Sequence, residues 1–279
     1  LVQSRAVAPD GVSIAVQDWG APQAGAQSTA PRQDILLLHG FSQCHKAWLH
    51  QFAGSLGQDF RLVTYDLRGH GASDKPADAS FYQDSKSWGD EVHAVIRHAQ
   101  LVRPVLIAWS YAGRIALDYL SIHGSDELAA LVMVNATSRT DPSVLGPAAS
   151  LLRAMCDPDP AINVQGTRDL LNACVAHPLP PDEFEYMLEY NLQVPPQIRA
   201  NLRRPPADYA AVLEALRLPT LVIHGAKDPI NRIAMAEYTH AEVQGSMLLM
   251  YDDSAHMPFW EEPERFNADV TAFIRRATS

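Results

Sequence analysis

Long hydrophobic runs are missing from this chain of 279 residues. No apolar stretch approaches the roughly 20 residues that a helix needs to cross a bilayer, so no membrane partner is expected. Positive charge is in deficit. There are 22 basic and 32 acidic residues, a net charge of −10, and such a surface repels phosphate backbones and anionic lipid. Nucleic acid is therefore not an expected partner either. Cysteine is scarce: Cys44, Cys156 and Cys174 are an odd number without Cys-x-x-Cys spacing. Reduced, structural thiols are the expectation, with Cys44 flagged because it lies three residues past Phe41. Repeats and low-complexity tracts are absent. None of the 11 histidines combines with carboxylates at a helical or strand spacing that suits a metal, so no metal is expected. The opening Leu1-Val2-Gln3-Ser4-Arg5 does not read as a secretory signal, and a cytoplasmic location is expected. The chain does not begin with Met, so those residues carry little weight. No feature of the sequence specifies an oligomer.

Several short, buried-looking strands alternate with helical patterns. Asp34–Leu38, Arg61–Tyr65, Pro104–Ile107, Leu131–Asn135, Leu221–Gly225 and Met247–Tyr251 are apolar runs. Helical periodicity follows several of them: Trp48, Phe52 and Leu56 at i, i+4, i+8 predict a helix from His45 to Leu56, and Val92, Val95, Ile96 and Ala99 predict another from Trp88 to Ala99. Strands alternating with helices indicate an α/β fold, a mostly parallel sheet covered on both faces. Val12–Trp19 reads as an edge strand in a hairpin with the N-terminus, and Ala21–Gln33, rich in Ala, Gln, Pro and Ser, as a surface loop. Between Ala136 and Leu221 the alternation stops. Eleven of the 20 prolines fall between residues 137 and 215. Asp182 is the expected N-cap of a helix whose apolar face is Phe184, Met187 and Leu188, and Asp208 is expected to start another through Leu216.

The chemistry is concentrated in turns that follow the strands. Ile107-Ala108-Trp109-Ser110-Tyr111-Ala112-Gly113 joins a strand to a helix through a serine flanked by small residues. That is the form of a nucleophile elbow, in which a sharp turn strains the serine backbone and tolerates only small neighbours, here Ala108 and Ala112. Downstream, Asp228 sits just past the strand ending at Gly225, and His256 lies in the loop after the strand ending at Tyr251. Upstream, His39-Gly40-Phe41-Ser42 ends a strand and exposes backbone N–H groups. A nucleophile, an acid and a histidine thus share the edge where ligand chemistry collects in parallel sheets. Asp252 and Asp253 share the loop of His256 and point elsewhere. Asn135, at another strand end, cannot balance an imidazolium. Asp228 is therefore the expected acid.

These residues resemble the α/β-hydrolase superfamily. The resemblance runs through His39-Gly40-Phe41, Tyr65-Asp66-Leu67-Arg68-Gly69-His70-Gly71-Ala72-Ser73-Asp74, the Ser110 turn, His224-Gly225-Ala226-Lys227-Asp228 and Ala255-His256. The Asp-x-Arg-Gly-His-Gly-x-Ser segment is similar to that of small esterases, non-haem haloperoxidases and lactonases. The resemblance implies a core of residues 1–136 and 216–279 with a helical cap over 137–215. It implies Ser110, Asp228 and His256 as catalytic residues and the N–H groups of Phe41 and Tyr111 as an oxyanion hole, with no cofactor. Serine at position 110 separates the chain from haloalkane dehalogenases and epoxide hydrolases, which carry Asp there.

The remaining polar residues of these motifs have structural readings: an ion pair for Asp66 and Arg68, a hydrogen-bonded support for His70, orientation of the oxyanion loop for His39, and a buried, satisfied ring for His224. Trp109, Met257, Phe184 and Met187 are expected to line the pocket, near Trp260. A small neutral or aromatic ester or lactone is the expected substrate. A cofactor-free dioxygenase, a C–C bond hydrolase, a weak perhydrolase or haloperoxidase and a non-catalytic ligand-binding protein are the alternatives. Strong perhydrolase or haloperoxidase activity is not expected, because relatives with it carry proline in the oxyanion loop where this chain has Ser42.

Overall fold

Eight strands form one sheet in the computed structural model, which describes residues 1–20 and 32–278. They are β1 (Val2–Val7), β2 (Ser13–Asp18), β3 (Asp34–Leu38), β4 (Arg61–Tyr65), β5 (Val105–Trp109), β6 (Ala130–Val134), β7 (Thr220–Gly225) and β8 (Met247–Tyr251). Their order is β1-β2-β4-β3-β5-β6-β7-β8. The pairs β1–β2 and β2–β4 are antiparallel, and the other five are parallel. Every residue of β3, β5, β6 and β7 is buried, as continuous aliphatic runs require when helices cover both faces. The two faces carry separate cores, one under the helices Ser85–His98 and Ala112–His123, the other under Pro263–Ala277.

Three expectations change. The strand at Val12–Trp19 is not an edge: β2 lies between β1 and β4, so β1 takes the edge. Five of the six residues of β2 are buried, as its interior place requires. The helix expected over His45–Leu56 is broken into a 3₁₀ turn at His45–Trp48 and two short helices, Leu49–Ala53 and Ser55–Asp59, hinged at Gly54. Gly54 packs so closely on Asn267 and His50 that a Cβ there would meet their atoms at 2.4 and 2.6 Å, so the chain turns where it must. Asp182 does not cap its helix. Pro181–Leu192 begins two residues earlier, with Pro181 at N1 after the N-cap Pro180, and Asp182 sits in the first turn. The loop expected over 21–33 lies outside the described residues except for its last two.

Between β6 and β7 the chain makes no strand, only an isolated bridge from Leu145 to Asn231. This insertion holds the helices Leu151–Ala154, Pro160–Ala173, Pro181–Leu192, Pro196–Asn201 and Ala210–Ala215. Three of them start with Pro at the first position, where its missing N–H costs nothing. Asp208 accepts a hydrogen bond from Ala210 N–H at 2.9 Å and opens the last of these. Among the described residues no helix is long and apolar enough to cross a membrane.

Candidate active site

Ser110 is positioned by its own backbone. Its φ is +56°, in the region that disfavours side chains, and three hydrogen bonds hold it there. Its N–H donates to Val134 O at 3.0 Å, and its carbonyl accepts from Gly113 N and Thr137 N, both at 2.9 Å. Ala108 and Ala112 are fully buried beside it. The tightest contact belongs to Gly113, where a Cβ would meet Ala136 Cβ and the Thr137 backbone at 2.8 Å. The turn therefore lifts Ser110 Oγ above the sheet, half-buried, against the loop after β8.

There His256 Nε2 lies 2.8 Å from Ser110 Oγ, and its Nδ1 lies 2.7 Å from Asp228 Oδ2. The loop of His256 is gripped on both sides: its N–H donates to Cys174 O at 3.0 Å, and its carbonyl accepts from the Trp109 indole at 2.9 Å. The Asp228 side chain is buried and accepts four hydrogen bonds. Ile230 N and Asn231 N reach Oδ1 at 2.7 and 3.1 Å, while Asn135 Nδ2 and His256 Nδ1 each reach Oδ2 at 2.7 Å. Burial opposes its ionisation. The His256 and His224 rings and the hydrogen bonds from His256 and Asn135 outweigh that, and the carboxyl is held below its ordinary range. Asn135, set aside as an acid, is thus the residue that holds Asp228 Oδ2 in place, and its own φ of +43° marks the strain. A polar residue at the end of a strand beside the nucleophile's was the available signal for this role. His224 is buried as expected and meets Asn231 O at 3.1 Å. Asp253 pairs with Lys227 at the surface.

The loop after β3 is held by two neutral histidines. Burial lowers the pKa of His39 to about 4 and that of His70 to about 3. Each ring accepts a backbone N–H at Nε2, from Leu67 at 3.0 Å for His39 and from Ser42 at 3.1 Å for His70. Each must then carry its proton on Nδ1, which donates to Gly40 O and Arg68 O respectively, both at 2.9 Å. Ser42 has φ +61°; a proline there could neither reach that angle nor make the bond to His70. The N–H groups of Phe41 and Tyr111 donate to no described residue, and both residues line the cavity that holds Ser110. Asp66 and Arg68 are both structural, but not with each other. Asp66 holds His45 and the Ala72 N–H, and Arg68 pairs with Glu91 and Asp10, each at 2.6 Å.

A cavity of about 510 Å³ opens over Ser110. Phe41, Trp109, Tyr111 and His256 form its floor, and the insertion supplies Leu145, Leu152, Leu170 and Cys174. Phe184, Met187 and Met257 do not line it. Met187 and Met257 are fully buried in the core between Trp48 and the insertion. Phe184 sits in a separate shallow hollow with Leu179 and Arg168. Helical spacing located an apolar face on Pro181–Leu192 but not which neighbour covers it. Cys44 lies outside the cavity wall, fully buried, with its thiol pKa pushed up by burial and by Asp66. Cys44, His45 and Asp66 place one ligand atom each within 4.8 Å of one another, but the Asp66 oxygens are already committed to His45 and Ala72.

Arg199 ties the insertion to the loop after β3. It is fully buried, and no carboxylate pairs with it among the described residues. Its Nε donates to Ser42 Oγ at 3.0 Å, Nη1 to Met155 O and Thr167 Oγ1 at 3.0 Å, and Nη2 to Asn191 O at 2.7 Å. Burial lowers its pKa to about 10, which leaves it charged at neutral pH.

Comparison with known proteins agrees with this geometry. The family model described as alpha/beta hydrolase fold matches residues 35–263. A Burkholderia cenocepacia protein assigned as an aryl esterase superposes with a TM-score of 0.89 at 31% identity, over 99% of both chains. An esterase from a Rhodococcus species superposes at 0.87 with 29% identity, again over 99% of both. A bifunctional esterase/perhydrolase of Acinetobacter calcoaceticus is 24% identical over 95% of this chain and 97% of its own. The strand order, the strained serine above a parallel sheet and these matches together make the chain a member of the α/β-hydrolase superfamily, on its esterase and non-haem haloperoxidase-like branch.

Proposed function

We propose that this enzyme, a hydrolase acting on ester bonds, cleaves small carboxylic esters or lactones through an acyl-enzyme on Ser110. One observation carries the reading: the unbroken chain Asp228–His256–Ser110, with contacts of 2.7 and 2.8 Å, ends at a hydroxyl facing an open cavity. A serine hydroxyl is a poor nucleophile until a base takes its proton. His256 Nε2 does so as Oγ attacks the acyl carbon. Asp228 fixes the Nδ1–H tautomer and balances the imidazolium. The oxyanion develops beside the N–H groups of Phe41 and Tyr111, and such donors are worth roughly 3 kcal/mol each. The C–O bond then breaks, His256 hands its proton to the leaving alkoxide, and the same ring activates water to release the acid. In a lactone the leaving alkoxide stays attached, and the product is a hydroxy acid.

Residues 137–215 act as a cap in this scheme, since Leu145, Leu152 and Leu170 contact whatever fills the cavity. Mass spectrometry of the protein quenched during turnover of 4-nitrophenyl acetate tests the proposal. An added acetyl group on the peptide containing Ser110, absent in Ser110→Ala, is the expected result. Turnover without that adduct, or undiminished in Ser110→Ala, rejects it.

A further inference from the structure

The cavity carries more than its apolar floor. Arg114, Arg153, Arg203 and Arg204 all line it, and no Asp or Glu does among the described residues. Two of the four are committed elsewhere only in part. Arg204 pairs with Asp118 at 2.6 Å behind the wall. Arg114 is 6% exposed and donates from Nη2 to Pro205 O, but its Nε is buried without a partner. Arg153 and Arg203 are exposed at the insertion side of the opening, and neither guanidinium makes a hydrogen bond or ion pair with a described residue. One carboxylate, Asp118, thus stands against four guanidinium groups. In a chain of net charge −10, this is a local reversal of sign at the mouth of the site. A buried N–H left unpaired costs free energy, and free guanidinium forks match planar carboxylates.

We infer that the insertion side of the cavity is an anion subsite, and that the preferred ester or lactone carries a carboxylate at the end remote from the scissile carbonyl. This rests on the hydrolase reading above and revises the neutral substrate expected from the aromatic residues flanking the motifs. The acyl carbon sits over Ser110 on the aromatic floor, a short methylene chain runs past Leu152 and Leu170, and the far carboxylate meets the arginines. At long range the protein repels an anion, but that field is screened within about 8 Å at physiological salt. Inside the mouth the guanidinium groups dominate.

Three esters of one length test this: the mono-4-nitrophenyl ester of adipate and the 4-nitrophenyl esters of hexanoate and 6-aminohexanoate. They end in carboxylate, methyl and ammonium. The kcat/KM should fall in that order, with adipate about tenfold or more above hexanoate, and added NaCl should compress the gap. Arg153→Gln and Arg203→Gln should each lower the adipate-to-hexanoate ratio by about threefold to tenfold. Equal or reversed preference in the wild type, or ratios unmoved in both variants, overturns the subsite. Calorimetric titration of adipate and hexanoate into Ser110→Ala separates this from failure of the hydrolase reading. Adipate binding weakened by the arginine changes, with no ester turned over by the wild type, leaves the subsite standing and removes the activity. Turnover without any adipate preference in either assay does the opposite.

Discussion

In the proposed mechanism Ser110, His256 and Asp228 act through one proton, so their removal should not be additive. Ser110→Ala and His256→Ala are each expected to lower kcat by on the order of 10³-fold or more, and the double variant should be little worse. Asp228→Asn should also be severe, because an amide favours the wrong imidazole tautomer. Steady-state kinetics on 4-nitrophenyl acetate measures all four proteins, and losses that multiply in the double variant would refute a shared role. That these three residues meet was legible in the sequence, because the strand–turn–helix context and the chain order narrow the choice. Asn135 was not. Its role depends on the distance from its amide to Asp228, 2.7 Å across two loops, and no local pattern encodes that. Asp66 and Arg68 were legible as structural residues, while their partners, on distant segments, were not.

Elements were readable where burial is continuous and hard to read where packing decides. The parallel strands β3 to β7 appear in the sequence as aliphatic runs, since both faces are covered, while β8 is an aliphatic run at the half-buried edge. The break at Gly54 and the interior place of β2 come from contacts with other elements. The same distinction separates two residues of the insertion. Leu170→Ala should raise KM for medium-chain esters more than it lowers kcat on acetate, because it removes contacts common to ground and transition states. Phe184→Ala should leave the chain-length profile intact and only lower the melting temperature, since Phe184 packs with Leu179 and Arg168 away from the cavity. Kinetics across acetate, butyrate and hexanoate esters decides between them; a shifted profile in Phe184→Ala would contradict a cavity wall without Phe184. At the turn itself, Gly113→Ala should cost roughly 1–3 kcal/mol by overpacking, measured by urea unfolding. An unchanged midpoint would mean that the contacts at 2.8 Å yield freely.

For the molecule as a whole, the two neutral histidines under the loop after β3 set a pH dependence. In the unfolded chain they take up protons as pH falls through 6.5, whereas in the fold they stay neutral until about 4 and about 3. The unfolded state therefore binds more protons in this window, and stability must fall as pH falls. Between pH 7 and 5 the loss should be on the order of 2–4 kcal/mol. Below pH 4 the depressed carboxyls of Asp66 and Asp228 add to it. Urea unfolding at both pH values checks the slope, and His70→Gln, which cannot titrate, should flatten it. A slope that His70→Gln leaves unchanged would assign the effect to other groups. Arg199 bears on the molecule in another way. Met155, Thr167 and Asn191 move with the insertion, so to swing it outward would break the one bond of this cation that leaves the insertion and take from Ser42 its donor. That bond, together with Ser42 Oγ to Asn191 O at 3.3 Å, ties the roof to the same loop that supplies Phe41, and the doorway framed by Arg153 and Arg203 is the expected route for reactants. Traffic through that doorway needs only the side-chain motions of its frame.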